Sequence, residues 1–155
     1  MILDKVWQYG SNRLIRAGIM SLVILSTLFA PGVALSQVVI ANKDVAADSL
    51  SRQEIHSIFL GETSRWQDNR PITIVVQEQG NIHRLFLREI LSRTPSQFLN
   101  YWRKQIFNGK ALAPKSITNM RELVEFVATH SGAIGYVSDE NVDTSVKVIK
   151  ITTEQ

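Results

Sequence analysis

Apolar and polar positions fall along the chain in blocks whose spacing switches between that of strands and that of helices. Val38-Val39-Ile40 is an unbroken β-branched run, the pattern of a strand buried on both faces. Ser51-Arg52-Gln53-Glu54 has the form of a capping box, with Leu50 and Ile55 set as its hydrophobic staple, so a helix is predicted to start there. Ile55, Ile58 and Phe59 give that helix one apolar face, and Gly61 lies where a helix commonly stops. Pro71 then precedes Ile72-Thr73-Ile74-Val75-Val76, a second β-branched run predicted as an interior strand. Beyond the turn at Gln79-Gly80, residues Ile82, Leu85, Phe86 and Ile90 have helical spacing, while Arg84 and Arg88 fall on another face.

The second half of the chain continues the alternation. Thr94-Pro95-Ser96-Gln97 is another capping box, with proline at the first helical position, where its missing N–H costs nothing. The helix it starts is expected to turn Phe98, Leu99, Trp102 and Ile106 inward and to end near Asn108-Gly109, followed by a loop from Lys110 to Ser116. Asn119 and Glu122 cap a fourth helix, in which Met120, Leu123, Val124 and Val127 form the apolar stripe. Ser131-Gly132 stops it, and Ala133-Ile134-Gly135-Tyr136-Val137 reads as a strand entered through a tight turn. Residues 146–151, Val-Lys-Val-Ile-Lys-Ile, are predicted as an alternating or edge strand. Strands separated by capped helices, without repeats or a linker, indicate one α/β domain with a central sheet and about four helices.

The first 36 residues do not belong to this pattern. Lys5, Arg13 and Arg16 precede a run from Ala17 to Ala30 that is interrupted only by Ser21, Ser26 and Thr27, and Pro31-Gly32 ends it. A basic start, a short apolar stretch and small residues at a cleavage point are the marks of a secretory signal peptide. Ala34-Leu35-Ser36 places the cut before Gln37, with Gly32-Val33-Ala34 as a second option. An uncleaved anchor would need about 20 apolar residues, and this run is several short. Residues 1–36 are therefore read as a signal peptide and 37–155 as the exported domain, with no membrane span after cleavage.

Composition changes the picture mainly through charge. The 155 residues carry 17 Lys+Arg against 14 Asp+Glu, a formal net charge of +3. Removing residues 1–36 takes away Lys5, Arg13, Arg16 and Asp4, which leaves 14 basic and 13 acidic residues. A domain so close to neutral, with no dense basic cluster, lacks the electrostatic footprint of a nucleic-acid binder. The absence of cysteine rules out disulfides, thiolate metal sites and cysteine nucleophiles.

Catalytic chemistry finds no support either. His56, His83 and His130 lack metal-ligand spacing, and no G-x-S-x-G elbow, G-x-G-x-x-G turn or phosphate-binding G-x-x-x-x-G-K-[ST] loop occurs. The segment with chemical content is Gln77-Glu78-Gln79-Gly80-Asn81, running from a strand into a helix. Unpaired N–H groups at a helix start favour an anion, and a nearby arginine adds a planar fork of donors. The same features also describe an ordinary strand-to-helix turn with a solvated basic face, and Glu78 would repel an anion. Trp66 and Trp102 are read as core residues more readily than as ligand stackers.

Two stretches carry a family resemblance. Ser51-Arg-Gln-Glu-Ile-His-Ser-Ile-Phe-Leu-Gly61, with Trp66-Gln-Asp-Asn-Arg-Pro-Ile72 after it, resembles the L-T-x-x-E-L-x-x-I-F-x-G-x-x-x-x-W-x-D-G-x-x-I segment of periplasmic phosphate-binding proteins of ABC transporters. Gly132-Ala-Ile-Gly-Tyr-Val137 is similar to that family's V-x-x-x-P-G-A-I-G-Y-V segment, and Trp102 and Phe107-Asn-Gly-Lys110 lie between the two. The likeness covers about residues 38–151. It implies a single lobe of a type 2 periplasmic-binding-protein-like α/β fold, a periplasmic or secreted location, a binding role with neither enzymatic activity nor cofactor, and phosphate or another small anion as ligand in transport or sensing.

The family's R-x-x-x-S-G-T motif is replaced here by Gln77-Glu-Gln-Gly-Asn-Ile-His83-Arg84, so the fold carries over and phosphate specificity does not. The candidate site is then Gly80, Asn81 and Ile82, offering backbone N–H groups, with His83 and Arg84 as charge-assisted donors. A second copy or another envelope protein would complete the cleft. The alternative is a lobe that has lost its ligand and uses the same face to hold an envelope protein.

Overall fold

A computed structural model describes residues 36–109 and 112–152. The stretch read as a signal peptide lies outside these residues, apart from Ser36. Along the chain run β1 (Gln37–Ala41), β2 (Ser49–Ser51), α1 (Arg52–Phe59), β3 (Thr73–Gln77), α2 (Asn81–Glu89), α3 (Pro95–Phe107), β4 (Lys115–Ile117), α4 (Met120–Thr129), β5 (Ala133–Ser138) and β6 (Lys147–Thr152). A single 3-10 turn, Asp139–Asn141, follows β5. The six strands form one sheet in the order β2-β6-β1-β5-β3-β4.

The sheet is mixed. Strand β1 lies antiparallel to both β5 and β6, with Val39 opposite Tyr136 on one side and Ile149 on the other. Strands β3, β4 and β5 are mutually parallel, and β2 runs parallel to β6. The last strand is therefore interior, paired on both edges, although Val148, Lys150 and Ile151 remain exposed. The true edges are β2 and β4, each three residues long. Strand β4 lies where a loop is predicted, because Lys115-Ser116-Ile117 carries no β-branched run and is held by its pairing with β3 alone.

The period of two in each central strand divides the core between two faces. Val39 and Ala41 of β1, Val76 of β3 and Ile134 and Tyr136 of β5 join Ile55, Phe59, Phe86, Phe98 and Trp102 from α1, α2 and α3. Ile40, Val75, Ala133 and Val137 point the other way, onto Leu123, Val124 and Val127 of α4. Three helices thus cover one face and one covers the other. The first face is centred on aromatic rings: Phe86 stacks on Tyr136 at 3.9 Å, and Phe59 meets Phe86 edge-on at 4.8 Å. Such pairs contribute about 0.5–1.5 kcal/mol each beyond the area they bury.

The predicted caps are present. Ser51 Oγ accepts from the Glu54 N–H and the Glu54 carboxylate accepts from the Ser51 N–H, and Thr94 and Gln97 make the same reciprocal pair. Asn119 Oδ1 accepts from the N–H groups of Arg121 and Glu122. One expectation for α3 fails: Phe98 and Trp102 are buried, but Leu99 and Ile106 are 50% and 47% exposed. Helix α3 packs against α2, and the Tyr101 hydroxyl donates to the Leu60 carbonyl at 2.9 Å. The flank bearing Leu99 and Ile106 borders an open cleft.

Candidate functional site

Because β3 and β4 are parallel and each is followed by a helix, the starts of α2 and α4 both arrive at the carboxyl edge of the sheet. Ligands of α/β sheets bind along that edge. The chain leaves β3 at Gln77, and the Glu78 N–H still donates to the Ile117 carbonyl at 3.0 Å. Glu78 is exposed, and its carboxylate accepts from the Thr118 hydroxyl at 2.7 Å. Gly80 then turns the chain with φ 128° and ψ 175°, a conformation that side chains rarely adopt. A Cβ here would also lie 3.2 Å from the Gln77 side-chain amide.

Gly80 is the N-cap of α2, and among the described residues no side chain caps the first N–H groups of that helix. Its first turn contains no acidic residue, whereas Ser51, Thr94 and Asn119 cap α1, α3 and α4. Gly80, Asn81 and Ile82 thus stand together at a helix start without a side-chain cap, where backbone N–H groups and the positive end of the helix dipole lie. Arg84 is exposed on the same turn, and its guanidinium donates to Asn81 Oδ1. That bond holds the cation across the helix start.

His83 is placed differently from the expectation of a charge-assisted donor. It is 6% exposed and its Nδ1 shares a hydrogen bond of 2.5 Å with the Tyr136 hydroxyl. The ring lies edge-on to Phe98 at 6.1 Å. Burial, and then repulsion by Arg84, lowers its pKa below the ordinary imidazole value, so it is neutral at neutral pH. Burial likewise drives the Tyr136 phenol well above its usual range, with the Gln77 backbone working against that rise. The positive charge at the helix start therefore rests on Arg84. The reason lies in helical period: position 83 shares a face with Phe86 and Leu87, which face the sheet.

His56 lies on α1 and His130 at the end of α4, where its ring stacks on Phe126 at 3.6 Å. Among the described residues no three His, Asp or Glu side chains come together as metal ligands. Trp66 is buried and its indole N–H donates to the Gly132 carbonyl at 2.9 Å, a structural role. Trp102 is buried as well, but it lines the cleft beside α3 together with Gln77, Glu78 and His83. That cleft was not legible in the sequence, since Leu99 and Ile106 have the spacing of core residues.

Comparison with known proteins places this geometry. A family model described as a PBP superfamily domain matches residues 32–154. Among solved structures, the fold is similar to that of a phosphate ABC transporter substrate-binding protein with bound phosphate from Clostridium perfringens, with TM-score 0.61 and 21% identity over 76% of this chain and 45% of that one. It is also similar to an ABC-type phosphate transport receptor from Vibrio cholerae, with TM-score 0.58 and 16% identity over 76% and 46%. A phosphate-binding protein from Stenotrophomonas maltophilia gives TM-score 0.60 and 18% identity over 76% and 39%. The chain spans less than half the length of each of these. The α/β lobe that the resemblance implies is the fold observed.

Proposed function

This chain belongs to the PBP superfamily, and from that premise we propose that it acts outside the cytoplasm as a substrate-binding module for phosphate or another small oxyanion, held at the start of α2. The observation that carries the reading is the uncapped helix start at Gly80, set at the carboxyl edge of parallel strands with Arg84 fixed beside it. The N–H groups of Asn81 and Ile82 would take the anion's oxygens, and Arg84 would add a charge-assisted bond. Residues 1–36 serve as the export signal, and the role is binding in transport or sensing, without catalysis. A second copy or an envelope partner would close the open side of the site.

Calorimetric titration of residues 37–155 with phosphate, sulfate and acetate tests this. Binding of the tetrahedral anions is expected, weakened about fivefold or more in Arg84→Gln, as the loss of a hydrogen bond to a charged group requires. Absence of heat and of thermal stabilisation at millimolar ligand would overturn it. A second reading, a ligand-free module that holds an envelope protein, is supported by the exposed side chains of Phe107 and Leu112, 91% and 92% accessible. Cross-linking in the periplasm that recovers only monomer counts against that reading.

A further inference from the structure

Among the described residues, the large apolar side chains left exposed are Leu99, Ile106, Phe107 and Leu112, together with Val148 and Ile151 on β6. The first four lie at one place. Leu99, Ile106 and Phe107 recur at i, i+7 and i+8, which puts them on the outer flank of α3. Leu112 precedes β4, and Ala113 and Pro114 join it to Ile106, since they line both the cleft beside α3 and the hollow at the beginning of β3. Phe107 and Leu112 are 91% and 92% exposed, so both project from the domain with almost no contact to their own chain.

The charge around this tip has one sign. From Ile90 to Arg121 the chain contains no aspartate or glutamate. Arg103 and Lys104 are exposed on α3, and Lys115, exposed on β4, holds its ammonium 5.8 Å from the Phe126 ring of α4. Cations therefore flank the tip on both faces of the sheet, and none of the three enters an ion pair among the described residues. Protein interfaces are depleted in lysine. Projecting apolar side chains flanked by lysine and arginine match the boundary of an anionic bilayer, where apolar groups enter below the headgroups and cations stay level with them.

We infer that this end of the domain docks on an anionic phospholipid surface, with Phe107 and Leu112 entering the acyl boundary and Arg103, Lys104 and Lys115 at the headgroups. The position suits the fold. Leu112 borders the beginning of β3 together with Ile72 and Ile74, and from Ile72 the chain runs about 16 Å, at ~3.3 Å per residue, to Gln77 and the turn at Gly80. The helix start of α2 is thus at the opposite end of the strand from the tip and stays open to solvent when the tip is in the membrane. Glu78, the acid that borders the cleft beside α3, is at that far end too. The inference uses none of the residues proposed to hold the anion and does not depend on that reading.

The test is co-sedimentation of residues 37–155, which contain the whole sheet and lack the apolar stretch before it, with vesicles of phosphatidylcholine alone or mixed equally with phosphatidylglycerol. Binding to the mixed vesicles is expected, and it should be at least about tenfold weaker to phosphatidylcholine alone, with Lys104→Gln weakening it about fivefold. Phe107→Ser combined with Leu112→Ser should weaken it at least about tenfold, while circular dichroism and the urea midpoint stay as in the parent. Arg84→Gln should leave it unchanged. No binding to the mixed vesicles, equal binding to phosphatidylcholine alone, or binding that survives the double substitution would overturn the proposal. Loss of binding in Arg84→Gln would also overturn it, by assigning the headgroup to the start of α2. So would a dimer in light scattering, or a cross-link from position 107 to an envelope protein, in a chain that ignores the vesicles.

Discussion

Gly132 offers a quantitative test of the turn that leads into β5. Its φ is +70°, and a Cβ placed on it would lie 2.4 Å from the backbone oxygen of Pro71. The left-handed conformation costs a non-glycine residue about 1–2 kcal/mol. The clash cannot be relieved by a side-chain rotation, so the two backbone segments must part. Three bonds depend on their spacing: the Gly132 carbonyl accepts from the Trp66 indole N–H at 2.9 Å and the Thr73 N–H at 3.2 Å, and the Gly132 N–H donates to Asp44 Oδ1 at 3.2 Å. Weakening one or two of them adds about 1 kcal/mol each.

Gly132→Ala should therefore destabilise by about 3 kcal/mol. Gly109 is the control, because it has nearly the same φ, +64°, but a Cβ there meets nothing within 4 Å. Gly109→Ala should cost only the conformational term, about 1 kcal/mol. Urea unfolding of residues 37–155 measures both, with a slope of about 1–3 kcal/mol/M for a domain of this size. A Gly132→Ala protein whose stability is within 1 kcal/mol of Gly109→Ala would refute the account of the close approach.

Further outcomes follow from the caps and the charges. Ser51→Ala and Thr94→Ala should each lower stability by about 1 kcal/mol, read as a shift of the urea midpoint, since each removes one half of a reciprocal capping pair. Glu78→Gln should tighten phosphate about two- to fivefold in calorimetry, by removing an exposed carboxylate beside the helix start. His83, with a folded pKa below its ordinary value of 6.5, is more readily protonated when unfolded, so its contribution is complete above that pH and is lost as pH falls below it. Unfolding free energy should therefore drop from pH 7 to pH 5, and His83→Gln should flatten that drop. The carboxylates of Asp48, Asp68 and Asp143 do not interfere, because hydrogen bonds from Lys147, Arg70 and Ser145 hold them below 3.8.

The elements that could be read from the sequence are those whose signals are local. Capping boxes at Ser51 and Thr94 and the β-branched runs at residues 38–40 and 72–76 declare themselves within five residues. Strands β2 and β4 do not, because Ser49-Leu50-Ser51 and Lys115-Ser116-Ile117 become strands only through pairing with distant partners. The apolar stripe of α3 is visible in the spacing, yet spacing cannot say what covers it, and only Phe98 and Trp102 are buried. The burial of His83 is hidden from the sequence for a related reason. Its type suggests a surface donor, while its position at helical spacing from Phe86 and Leu87 commits it to the interior, where Tyr136 supplies the partner.

The candidate anion site depends on one residue more than on any charge. Helices α2 and α4 both begin at the carboxyl edge of parallel strands, and both start with orphan N–H groups and a positive dipole end. At α4 the Asn119 side chain occupies two of those donors. At α2 glycine stands in the capping position, with a backbone conformation that side chains rarely adopt and with the Gln77 amide 3.2 Å from where a Cβ would sit. A side-chain cap and a bound anion compete for the same donors, so a helix start cannot be fully used by both. On the proposed reading, the fold supplies two equivalent helix starts, and the choice between Asn119 and Gly80 determines which is spent on stability and which is left for a ligand.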